Sequence, residues 1–335
     1  MVTMAVTLKD VALRAGVSRS AVSRTYTDGA SISARTRAKV EAAARELGYT
    51  PSFIARSLAT KRTKLIGLVA NNFQNPAFLE VFDLYTRALQ ARELRPLLVN
   101  LTNETDPAQS LRMLRQYSVD GVIVATSTLP EDFSRAFSAA QVPVVHAFGR
   151  FDPRSKAHVV GIDNVACGEM AAETLVARGY SRIAVIGGPD YASSTQDRVA
   201  GFTARLSRLG HQAADIRYAS HYSYRAGRDA MQALMTRPIP EAVFCGDDLI
   251  CMGAMDAARS HGLAIPTEIG FLGFNDIDMA GWDAYRLTTI HQPIGEIILA
   301  SVGLVAELAG DRERPPTAKL FDCSITERST LRPLT

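Results

Sequence analysis

VTLKDVALRAGVSRSAVSR, residues 6–24, reads as two short helices hinged on one glycine. Thr7 opens the first, with Asp10 three residues on, a capping box in which Asp replaces the usual Glu. Leu8, Val11, Ala12 and Ala15 share one face. Gly16 ends the helix with a turn that would strain a residue bearing a Cβ. Ser18 caps the second helix, whose inner face is Ala21, Val22 and Thr25. This is the helix-turn-helix pattern: Ala12 is small where the helices cross, and Val22 plugs the core. The outer face of the second helix keeps Arg19, Ser20, Ser23 and Arg24, residues able to reach base edges and phosphates in a major groove. Ser33 caps a third helix that turns Val40, Ala43, Ala44 and Leu47 inward, and Gly48 stops it.

The charge distribution sets this head apart. Residues 1–64 carry 12 Lys+Arg against 4 Asp+Glu, whereas residues 65–335 carry 25 against 30. A basic head on an acidic body directs a polyanion to the head, although charge alone is also met by a solvated basic surface. The 335 residues call for two or more domains, and 47% hydrophobic with 21% charged residues excludes a disordered or fibrous chain. The longest uncharged apolar stretch, residues 297–306, is too short for a bilayer. Residues 1–10 lack a basic region followed by an apolar core, so a cytoplasmic protein with no membrane contact is expected. Cys167, Cys245, Cys251 and Cys323 form no CxxC pair and read as buried small hydrophobes of a reducing compartment, with no metal or other cofactor implied.

After Gly48, Pro51 suits a helix start and Ile54, Ala55 and Leu58 fall on one stripe. Two turns are too few to stand alone, so this segment reads as a linker that orders only on a partner. From Leu65 the period changes. Strands are predicted over 65–70, 96–100, 121–125, 142–146, 159–162, 182–186, 242–245, 269–273 and 287–290. Helices are predicted over 76–93, 107–117, 164–178, 195–209, 224–235, 247–261 and 293–308. Such alternation gives doubly wound α/β structure with parallel sheets, and about 270 residues is long enough to divide into two lobes. The expected domains are a helical headpiece at 1–50, a hinge at 51–64 and an α/β core at 65–335.

Residues 6–24, followed by ELGYTPSFIARSLATKRTKLIGLV at 46–69, resemble the LacI family of bacterial transcription regulators. The resemblance runs on through NPAF (75–78), VDGVIV (119–124), VGIDN (160–164), RIAVIGGP (182–189), RVAGF (198–202), CGDDLICMGAM (245–255), GFNDI (273–277) and LTTIHQP (287–293). It implies a core of two lobes like a periplasmic sugar-binding protein, crossed by the chain near Asp163, His291 and Phe321. The N-lobe is then about 65–162 with 292–321, and the C-lobe about 163–291 with 322–335. It also implies a dimer on a pseudo-palindromic operator, its affinity set by a small ligand between the lobes. The chain ends at TERSTLRPLT with no heptad tail, which favours a dimer over a tetramer.

Residue by residue, Arg19, Ser20 and Ala21 match the family's base-reading positions, with Arg24 on a base edge or phosphate. Thr7, Ser18, Ser23 and Ser33 match phosphate contacts, and local capping is the alternative for all four, an equal one for Thr7 and Ser33. Ala55 belongs to the hinge stripe, and Leu58 matches the minor-groove leucine that wedges between base pairs; a core leucine is its alternative. In the cleft, Arg198 and Asp247 match ligand-contacting positions, as do Asn275, Asp163, Ser194, Ser127, Asn75 and Phe78, with Tyr222 placed against the ligand. Backbone capping is the alternative for Asn75, Asp163 and Asn275, and an ordinary surface charge for Arg198. The chain departs from the family at Thr25-Tyr26-Thr27, and in having Asp247 and Asn275 where Asn and Asp are common. The expected effector is a small polyhydroxylated or carboxylated solute, a sugar or derivative; Arg198 alone favours an anion, while a carboxylate at 247 disfavours an acidic ligand and tips the expectation to a neutral sugar or polyol.

Enzymes are the first rival class. No GxGxxG follows a strand, and GxxxxGK[ST], GxSxG and HExxH are all missing from the sequence. A transport-type binding protein would share the body without the basic head. A regulator answering to a phosphorylated carrier protein is a third reading, disfavoured by the polar cleft set.

Overall fold

A computed structural model of the chain describes residues 6–27, 29–51, 57, 62–71, 73, 75–101, 107–127, 142–150, 157–236 and 238–334. It separates into two units, Met1–Lys64 and Leu65–Thr335. Ala55 and Leu58 of the expected hinge lie outside the described residues.

In the first unit, α1 (Leu8–Ala15), α2 (Arg19–Thr25) and α3 (Ala34–Leu47) each give one fully buried valine, Val11, Val22 and Val40, to a common core. Burying each contributes about 1.5–3 kcal/mol. Gly16 takes φ +65° and returns its amide to the last carbonyls of α1, which sets the turn into α2. Arg37 donates Nη1 to the Thr25 carbonyl at 2.9 Å and so ties α3 to the end of α2.

The second unit holds two six-stranded sheets. The first contains β1 (Leu65–Ala70), β2 (Arg95–Asn100), β3 (Gly121–Ala125), β4 (Val144–Ala147), β5 (His158–Ile162) and β11 (Ala318–Phe321), in the order β11-β5-β4-β3-β1-β2. The second contains β6 (Ile183–Gly187), β7 (Asp215–Tyr218), β8 (Ala242–Cys245), β9 (Gly270–Asn275), β10 (Thr289–His291) and β12 (Ser324–Thr326), in the order β12-β10-β9-β8-β6-β7. Among the described residues the strand pairings are parallel apart from β10 with β12. Strands buried along nearly their whole length, such as LIGLVA, GVIVA and IAVIG, are what a sheet covered on both faces requires.

Among the described residues the second unit's α-helices are α4 (Ala77–Gln90), α5 (Pro107–Gln116), α6 (Asn164–Val176), α7 (Ser193–Arg208), α8 (Tyr224–Leu234), α9 (Asp248–Ser260) and α10 (Ile294–Gly310). The chain changes sheet between β5 and α6, between β10 and α10, which packs on β3 and β4, and between β11 and β12. Several boundaries shift by one to three residues, and two of the shifts have a local cause. The strand expected at 142–146 is β4, because Pro143 has no N–H for the ladder and offers only its carbonyl, to Val122 N. Helix α7 starts at Ser193, two residues early, because Ala192 at its N-cap leaves no side-chain signal. Strands β7, β11 and β12 were not expected; each is short and sits at a sheet edge.

Candidate functional site

On the first unit, Arg19, Ser20, Ser23 and Arg24 are exposed along α2 and Ala21 is half-buried. The far end of α2 turns inward instead. Thr25 is buried and donates Oγ1 to the Ala21 carbonyl, and Tyr26 packs towards Tyr49. The hydroxyls offered for phosphate have local bonds as well. Thr7 donates Oγ1 to Asp10 at 2.7 Å, which helps hold the Asp10 carboxyl below its usual range. Ser18 Oγ accepts from Ala21 N, and Ser33 Oγ accepts from Thr36 N, both at 3.2 Å.

In the second unit the site lies where doubly wound sheets place ligands, beyond the carboxyl ends of strands at the point where strand order reverses. Both sheets present that edge to one cavity of about 120 Å³. From the first sheet come Asn71 after β1, Asn75 and Phe78 at the start of α4, Thr126 and Ser127 after β3, and Phe148 after β4. The second sheet contributes Ser194 and Arg198 on α7, Tyr222 after β7, Asp247 after β8 and Asn275 at the end of β9. Asn164 and Gln292 line it at two of the crossings.

Arg198 is the fixed point. It is buried, donates Nε to Asn164 Oδ1 at 2.8 Å and Nη1 to the Gly246 carbonyl at 2.7 Å, and lies 3.4 Å from the centre of the Phe274 ring. Among the described residues Nη2 has no hydrogen-bond partner, so that end of the fork is open to the cavity. Burial lowers the Arg198 pKa, against Tyr222, Cys167 and Asp247, which raise it. Asp247 uses Oδ1 to cap α9 through Leu249 N and Ile250 N, and Oδ2 accepts from Asn275 Nδ2 at 3.0 Å. Burial pushes its pKa up to about 6, against those amides and Arg198. Asn275 and Asp276 take φ of +115° and +61°, a costly backbone for residues with a Cβ. Asp276 holds that turn in place: Oδ1 accepts from Arg328 at 2.7 Å, and Oδ2 meets Thr326 Oγ1 at 2.8 Å and His291 Nδ1 at 3.1 Å.

The cavity brings together Asn75, Phe78, Ser127, Ser194, Arg198, Tyr222, Asp247 and Asn275, but not Asp163. Asp163 takes the capping alternative: its Oδ1 accepts from Val165 N and Ala166 N at the head of α6, and the side chain is exposed. Asn164, one residue on and buried, is the one that reaches the cavity. Asn164, Asn71, Thr126, Phe148 and Gln292 were missed. Each directly follows a strand end or sits at a crossing, and that position was the available signal.

A family model described as bacterial regulatory proteins, lacI family, matches residues 7–52. A second, described as periplasmic binding proteins and sugar binding domain of LacI family, matches residues 63–301. The chain belongs to the LacI family. Among LacI-family relatives, the HTH-type transcriptional repressor CytR of Escherichia coli (strain K12) is 30% identical, with 98% of this chain and 97% of that one covered. The ribose operon repressor of the same strain is 33% identical over 87% of this chain and 89% of its own. The lac repressor dimer bound to operator and the anti-inducer ONPF has the same fold, with a TM-score of 0.87 at 26% identity, covering 97% of this chain and 99% of that one. Membership makes this a helix-turn-helix DNA-binding regulator with a ligand-binding core of the family's sugar-binding type. No helix among the described residues is long and apolar enough to cross a membrane.

Proposed function

We propose that the protein is a repressor that binds a pseudo-palindromic operator as a homodimer and releases or tightens it when a neutral sugar or polyol enters the cleft. Arg19, Ser20, Ala21 and Arg24 read bases; Thr7, Ser18, Ser23 and Ser33 position the head on phosphates; Ala55 and Leu58 act at the hinge. Arg198, Asp247, Asn275, Ser194, Ser127, Asn75, Phe78 and Tyr222 hold the ligand, and no reaction follows.

The carrying observation is the charge balance of the cavity. Arg198 and Asp247 are the charged residues among the described lining, and they offset one another. The rest is amide, hydroxyl, aromatic and aliphatic, which suits vicinal hydroxyls on an apolar ring face. No histidine or cysteine is among the described lining residues to serve as a base or nucleophile.

The test selects bound duplexes from a random pool, alone and with D-ribose, cellobiose, nucleosides and sugar acids in turn. An inverted repeat whose recovery changes with a neutral sugar is expected. Arg19→Ala should cost about 1–3 kcal/mol and relax one base position per half-site. Response to sugar acids alone would sink the charge argument, and unchanged selectivity in Arg19→Ala would displace α2 as the reading helix.

A further inference from the structure

Outside the cavity, one arginine reaches from lobe to lobe. Arg150 follows β4 of the first sheet, and Asp197 sits in the first turns of α7, between β6 and β7 of the second. Arg150 donates Nε to Asp197 Oδ2 at 2.8 Å and Nη2 to Asp197 Oδ1 at 2.7 Å, the two-pronged geometry that makes an arginine–carboxylate pair directional. The same Nη2 meets the Ser193 carbonyl and Gln196 Oε1, both at 3.1 Å. Asp197 keeps a fifth of its side-chain surface exposed and Arg150 about two-fifths, so the pair closes the rim of the cleft and is not itself ligand lining.

A second set of contacts meets the same turn of α7. The Ser127 carbonyl accepts from Ser193 N and Ser193 Oγ, each at 3.1 Å, and Ser127 Oγ lies 2.8 Å from Ser194 Oγ. The first turn of α7 is therefore fastened to the opposite lobe at two points. Ser194 in that turn and Arg198 in the next line the cavity. Any opening of the lobes must break the Arg150 fork and free the Ser193 amide together.

We propose that Arg150, through Asp197, is the positioning residue that latches the two lobes closed and presents Ser194 and Arg198 to the ligand. The latch would set how often the empty protein opens, and hence the ligand concentration at which it responds, since affinity scales with the population of the competent state. This rests on the cleft being the ligand site, so the test uses no ligand and its outcome is independent of that reading.

The experiment is residue-resolved amide hydrogen exchange on the full-length, ligand-free protein and on Arg150→Ala, Asp197→Ala and the double variant. The Ser193 amide reports lobe opening, because its acceptor lies in the other lobe. Each single variant should speed Ser193 exchange about fivefold, the scale of one well-formed exposed ion pair, with β1 and β6 amides unchanged. The double variant should match Arg150→Ala, because that change already removes every contact of the fork, whereas Asp197→Ala leaves Arg150 on the Ser193 carbonyl and Gln196. Unchanged exchange at Ser193 in Arg150→Ala would overturn the latch, as would additive effects in the double variant. Equal acceleration in β1 and β6 would also overturn it, since that marks general destabilisation.

Discussion

Arg198 is fastened on two sides before any ligand arrives, by Asn164 and the Gly246 carbonyl, with Phe274 against its plane. A lysine cannot reproduce a planar fork. Arg198→Lys should abolish the ligand response and also lower core stability by about 1–3 kcal/mol, because two buried acceptors lose a donor. Chemical denaturation with and without ligand measures both; a variant of full stability would mean that the fork is replaceable. Asp248, its neighbour across Asp247, is wholly buried and bonds Thr289 Oγ1 at 2.6 Å and Ile277 N at 3.0 Å. Burial pushes its pKa up to about 8. A raised acid keeps its proton in the folded state longer than in the unfolded one, so stability falls as pH rises towards 8. Half-buried His146, pushed down to about 4 by desolvation, acts the other way but only below its ordinary value of 6.5. Between pH 6.5 and 8 the melting temperature should therefore decline, and Asp248→Asn should flatten that decline; a slope unchanged by the substitution would contradict the assignment. The sequence pairs Asp247 with Asp248 as adjacent letters. Only the fold shows that one faces the cavity and the other the interior, because a helix N-terminus turns successive side chains to different sides.

At the scale of elements, α6 and α7 meet through Gly168 and Gly201. A Cβ on Gly168 would strike the Arg198 carbonyl, and one on Gly201 the Val165 carbonyl. Close approach here brings Asn164 at the head of α6 to Arg198 on α7. Gly168→Ala should push α7 outward, costing about 1–3 kcal/mol through overpacking and weakening ligand binding more than stability alone explains. A wild-type thermal melt with unchanged ligand affinity would refute that coupling. Strand–helix alternation was legible because buried strands such as Leu65–Ala70 and Gly121–Ala125 are unbroken apolar runs. Strand β7, DIRY, was not, because an edge strand leaves polar side chains half-exposed and needs little apolar patterning. The same reason hid β11 and β12, whose positions on opposite sheets carry the last crossing. The headpiece was legible almost to the residue, since its caps at Ser18, Ser33 and Gly16 are local signals. Most of the cavity lining coincides with family motifs, and Asp163 takes its capping alternative, since a carboxylate before a helix is equally a cap.

At the scale of the molecule, the division after Lys64 has a thermodynamic consequence. The headpiece has its own valine core and its own caps, and the two sheets of the second unit share a hydrophobic core that runs across both. Ligand in the cleft contacts only the second unit, so it stabilises that unit by mass action, about 2.7 kcal/mol at a hundredfold excess over Kd. For a unit of this size each kcal/mol moves the melting temperature by about 2–4 °C, which gives about 5–10 °C. Operator DNA should act on the other unit, and its effect should shrink steeply with added salt, because bound phosphates release counterions. Scanning calorimetry of the full chain should thus resolve a headpiece transition raised by operator in low salt and a core transition raised by sugar at any salt. A sugar that moved the headpiece transition alone, or left the core transition where it was, would place the ligand outside the cleft that Arg198 and Asp247 line.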